Sequence, residues 1–94
     1  MNMTTNDDDD PVFAQYDASC DRLANELMRI ARRLYRRNFD AMLDDVYCVR
    51  TNTCDATNTR QRAIMRAIEQ HMQRCEMTLN DACDDANDMI ENEQ

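Results

Sequence analysis

Five cysteines and a single histidine are the residues of this 94-residue chain able to ligate a metal, attack a carbonyl or form a covalent cross-link. Spacing decides among these chemistries. Structural zinc sites draw their ligands from short pairs such as C-x2-C, and no two of Cys20, Cys48, Cys54, Cys75 and Cys83 lie that close. No metal site is expected. Cys75 and His71 stand four residues apart, which gives only a weak form of the nucleophile–base signature. His71 falls just beside the apolar seam described below and is expected as a partly exposed residue on a helix face. The acidic run Asp81, Asp84, Asp85 and Asp88 lacks the sharp-turn glycine of a calcium loop. The chain contains no glycine at all, which removes P-loops, dinucleotide-binding turns and nucleophile elbows. No catalytic residue and no cofactor follow from this pattern, and the chain reads as a non-enzyme.

The strongest polar feature is a cluster of Arg29, Arg32, Arg33, Arg36 and Arg37, interleaved with Tyr35 and followed by Phe39. All 11 basic residues are arginine, a bias that a GC-leaning genome produces and that also suits bidentate contact with carboxylate or phosphate. The net charge of −8 argues against a general nucleic-acid binder and favours protein docking through the cluster.

The elements that must carry these residues are helices. Ile68, Met72, Cys75, Leu79, Ala82, Ala86 and Met89 step 4, 3, 4, 3, 4, 3, an unbroken a/d seam. Phe13, Tyr16, Cys20, Leu23, Leu27, Ile30 and Leu34 repeat it in mirror image, and pairing 13 with 89 makes every layer sum to 102. This predicts an all-α fold: an antiparallel two-helix hairpin with a coiled-coil-like seam and a short third helix before the turn. A disordered acidic tail is expected over 1–10, followed by one helical domain over 11–94. Its helices are expected at about 11–37, 40–48 and 59–90, with a turn at about 50–58. The break is placed near Asn38, with Asp40 capping the short helix, because both residues compete for backbone hydrogen bonds.

In such a hairpin Cys48 faces Cys54 and Cys20 approaches Cys83, so these four are the candidate disulfide partners. The nested pairing resembles that of coiled-coil-helix-coiled-coil-helix proteins of the mitochondrial intermembrane space. The chain has none of that family's paired C-x9-C motifs, so no residue role is carried over. The odd cysteine count favours reduced thiols that pack as small hydrophobes.

A second apolar stripe, which includes Met28, Tyr35, Phe39, Met42 and Val46, has no cover in a two-helix hairpin. An uncovered stripe marks a binding surface. The expected function is therefore a non-catalytic adaptor or assembly subunit, in a large complex such as a virus particle. In this reading the stripe docks a protein partner or second copy, and Arg29, Arg32, Arg33, Arg36 and Arg37 orient the contact. The alternatives are a nucleic-acid-binding hairpin using the arginine cluster, and a disulfide-stapled scaffold or chaperone. Residues 1–10 lack the pattern of a secretory signal, and no apolar run approaches a membrane span. A soluble intracellular location is expected, with an oxidising compartment of the intermembrane-space kind as the minority alternative.

Overall fold

The computed structural model describes residues 11–94, with side chains from Ala14 onward. The acidic tail expected over 1–10, and the Phe13 side chain with its layer against Met89, lie outside the described residues. Four helices follow in order: α1 (Pro11–Leu34), α2 (Phe39–Arg50), α3 (Thr59–Cys75) and α4 (Leu79–Glu93). The described chain is all-helical, in an elongated body of 52 × 24 × 16 Å. None of its helices is long and apolar enough to cross a membrane.

The break after α1 falls where Asn38 predicts it. Asn38, rather than the expected Asp40, caps α2: its side-chain oxygen accepts from the Ala41 N–H at 3.1 Å. The long second helix expected over 59–90 is two helices. Glu76 adopts the left-handed conformation (φ 52°), the Met77 N–H returns to the Met72 carbonyl at 3.1 Å, and the Glu76 N–H reaches Gln73. This is a Schellman closure with glutamate where glycine is usual. Thr78 then starts α4 by accepting from the Asp81 N–H at 3.2 Å. The turn after α2 closes the same way, with Asn52 left-handed (φ 58°) and the Thr53 N–H bonded to the Cys48 carbonyl at 2.8 Å.

The Glu76 turn divides the helix that the 102 sum sets against α1 into two separate helices, α3 and α4. α1 runs antiparallel to α3, with Ser19 against His71 and Arg60 over the ring of Tyr35. α4 turns back from α3 and runs in the same direction as α1. Tyr16 of α1 bonds Asp85, whereas Met28 and Ala31 share a cleft with Glu93. α2 lies antiparallel to α4, joined at one end by Arg50–Asp84 (2.8 Å) and at the other by Gln94–Asp40 (3.3 Å).

This arrangement corrects the uncovered stripe. Met42 and Val46 are fully buried and Tyr35 is 3% exposed; they join Leu23, Leu27, Ile64, Ile68, Ala86 and Ile90 in one continuous core. Two apolar faces on α1–α2 are satisfied within one chain because α3 and α4 are separate helices. Of the five stripe residues named above, Met28 and Phe39 stay half-buried at the surface.

Candidate functional site

His71 is the centre of the most organised polar cluster. It occupies the inward face of α3, in step with Ile64, Ile68 and Cys75, and its side chain is 0% exposed; the expectation of a partly exposed histidine is overturned. The ring spans two helices. Nδ1 lies 2.7 Å from the Ser19 hydroxyl of α1, and Nε2 lies 2.8 Å from Asp85 Oδ2 of α4. Ser19 is itself buried, and Arg74 Nε donates to its oxygen at 2.8 Å. The Tyr16 hydroxyl donates to Asp85 Oδ2 at 3.0 Å, and its ring centroid lies 6.0 Å from that of His71.

Cys20 completes the cluster beside Tyr16, His71 and Asp85. Its thiol is pushed above the ordinary value, mainly by burial and further by the Asp85 charge, although the Tyr16 bond opposes this. The Tyr16 phenol is pushed up by its bond to Cys20, then by burial and by Asp85. Cys75 Sγ approaches from the other side of the imidazole, 3.9 Å from Nδ1.

Serine, histidine and aspartate in hydrogen-bonded series invite comparison with a hydrolytic triad. The geometry does not supply one. The Ser19 hydroxyl is 1% exposed and already bonded by Arg74, so no substrate carbonyl reaches it. The network instead satisfies buried polar atoms: among the described residues no buried side-chain nitrogen or oxygen lacks a partner.

The five arginines expected as partner-binding are all exposed. Arg29 pairs with Glu26, one turn away on α1, whereas Arg32, Arg33, Arg36 and Arg37 make no ion pair with a described residue. Arg36 and Arg37 both hold the left-handed conformation at the elbow after α1 (φ 51° and 62°). A groove of about 630 Å³ runs between α1 and α3, over a floor that includes Leu23, Met28 and Ala67. Arg22, Arg29, Arg32 and Arg74 stand along it. Glu93 at the end of α4 shares a cleft with Arg32 and Arg37, so acidic and basic side chains meet at this end of the molecule.

Compared with protein-family models, curated proteins and solved structures, the chain matches none.

All five cysteines are free thiols, and they form two neighbourhoods. Cys20 lies near Cys75, whereas Cys54 lies near Cys48 and Cys83. The approach of Cys20 to Cys83 expected from a hairpin is thus replaced by this grouping. Burial pushes the Cys83 and Cys54 thiols up, with Arg50 opposing the rise at Cys83 and Cys48 adding to it at Cys54.

Sequence reasoning missed the assembly of Ser19, His71, Asp85, Tyr16, Arg74 and Cys20. Part of its signal was present: His71 continues the 4, 3, 4 stepping of Ile64, Ile68 and Cys75, and so belongs to a buried face. The convergence of α4 on it carried no such signal, because it depends on the Glu76 turn.

Proposed function

We propose that the chain is a non-catalytic assembly subunit acting by helix-mediated protein–protein contact. Its arginine-lined groove grips the acidic face of α4 in a second copy. The observation that carries this reading is the groove between α1 and α3: four guanidinium groups stand over an apolar floor, and the acidic side chain among its walls is Glu26. Arginine's planar fork suits carboxylates in such a setting, and half-buried Met28 supplies apolar contact beside them. The complementary surface is α4, whose Asp81, Asp88 and Glu91 are exposed and which has no basic residue. Opposite potentials of this kind steer association and fix its register. A small subunit with these two faces suits a large assembly such as a virus particle.

The test is solution molar mass under reducing conditions, at low and at high salt. The native chain should associate at low salt and dissociate as salt screens the contact; Arg29→Glu with Arg32→Glu should be monomeric throughout. A native chain that is monomeric at every salt concentration, yet binds duplex DNA with a steep salt dependence, would replace this reading with the nucleic-acid one.

A further inference from the structure

Cys20, His71 and Asp85 each offer one ligand atom, and these three atoms lie within 4.8 Å of one another. They come from three helices, α1, α3 and α4, so the fold brings together what no spacing in the sequence pairs. We propose that these residues form a divalent transition-metal site, with zinc as the ion whose ligand preferences they match.

The donor set is the first argument. Thiolate with imidazole selects zinc-like ions over magnesium or calcium, which take oxygen shells. Three protein ligands with a fourth position left to solvent is the arrangement of an open zinc site. A tetrahedral ion with bonds of about 2.0–2.3 Å places its ligand atoms roughly 3.3–3.8 Å apart. His71 Nε2 and Asp85 Oδ2, now 2.8 Å apart, must therefore open slightly to admit the ion within a cluster whose ligand atoms all lie within 4.8 Å.

The second argument is the support behind the ligands. Nε2 is the His71 nitrogen that faces Asp85, and the ring is held there from behind by Ser19 at Nδ1. Arg74 in turn fixes Ser19. Metal-ligating histidines are usually oriented this way, by a hydrogen bond at the other ring nitrogen. Binding at Nε2 replaces its hydrogen bond to Asp85 Oδ2: a neutral imidazole shifts its single ring proton to Nδ1, which donates it to Ser19 Oγ, and an imidazolium also releases its Nε2 proton to solvent. Ser19 Oγ still accepts from Arg74 and turns its own hydroxyl proton away from Nδ1. The Cys20 thiol proton is released to solvent. Cys75 lies on the Nδ1 side and is not a ligand. Tyr16, 37% exposed, stands over Asp85 where the cluster meets solvent, which gives the ion a way in.

The experiment titrates the reduced, metal-free full chain with Zn²⁺, and with Co²⁺ as a spectroscopic probe. One ion per chain is expected, with a thiolate-to-cobalt charge-transfer band and tetrahedral d–d bands. Zinc should raise Tm of the native chain and protect Cys20, but not Cys48, from alkylation mapped by mass spectrometry. Cys20→Ser and Asp85→Asn are near-isosteric and should abolish the band and the Tm rise while retaining helical circular dichroism. Ser19→Ala should weaken binding about 10–100-fold. The proposal is overturned if the native chain binds no stoichiometric ion. It is equally overturned if zinc protects Cys54 or Cys83 instead of Cys20, a readout that needs no variant to fold.

Discussion

Tyr35 is 3% exposed, yet its hydroxyl donates to the Asp45 carboxylate and the Arg60 guanidinium sits 5.1 Å from the centre of its ring. Burial, and then Asp45, push the phenol well above its ordinary value of 10.0. The folded state thus holds this proton more tightly than the unfolded chain does. The stability it contributes is complete below pH 10.0, and is lost as pH rises toward the folded value. Cys54 behaves alike from its ordinary 9.0, raised first by burial and then by Cys48. Urea unfolding should show stability falling above these values, and Tyr35→Phe should remove the phenol's share of the fall. At neutral pH that variant should cost about 1.5–3 kcal/mol, because a hydrogen bond to a charged group is lost. Ser19→Ala should cost about 1–3 kcal/mol in metal-free buffer, since it leaves buried Nδ1 of His71 without its serine partner. Tyr35 reads from the sequence as apolar docking surface and His71 as partly exposed. Residue type reports what a side chain can do, whereas its burial is settled by elements distant in sequence.

At the scale of elements, the apolar periodicity identifies the buried faces and misses a reversal of direction. Cys75 and Leu79 keep the seam's phase across the Glu76 turn, so an a/d count passes through it unbroken. The usual stop signal is absent because the chain has no glycine, and Glu76 itself takes the left-handed position. The start signal was available in Thr78, three residues before Asp81, a T-x-x-D pattern that suits an N-cap. The break at Asn38 was legible for a related reason, since asparagine competes for backbone hydrogen bonds wherever it stands. Glu76→Gly separates the two architectures by sign. In a continuous helix over 59–90, glycine costs about 1 kcal/mol. In the observed turn it relieves a residue with a side chain from the left-handed region, and should raise stability by about 0.5–1 kcal/mol. A chemical-denaturation midpoint that moves down would contradict the turn.

For the molecule as a whole, the reversal at Glu76 decides whether one chain suffices. A two-helix hairpin covers one stripe of α1 and leaves the stripe through Tyr35, Met42 and Val46 to a partner. With α4 folded back along α1 and against α2, that stripe becomes interior, and the chain encloses its own core. The arginines stay outside, which shifts the proposed docking from apolar area to charge. Val46→Asp tests this partition. On an exposed docking stripe the carboxylate would remain hydrated and the monomer would keep its helicity, losing only its partner. At a position with no exposure it places an unpaired charge in the core, at a cost of several kcal/mol. A domain of this size has roughly 5–15 kcal/mol of stability to lose. Circular dichroism and thermal unfolding of the variant should therefore show a largely unfolded or sharply destabilised chain. The charge-reversed Arg29→Glu and Arg32→Glu chain, altered only at the surface, should melt close to the native protein. If Val46→Asp melted normally while association disappeared, the stripe would be a surface after all, and α4 would pack elsewhere.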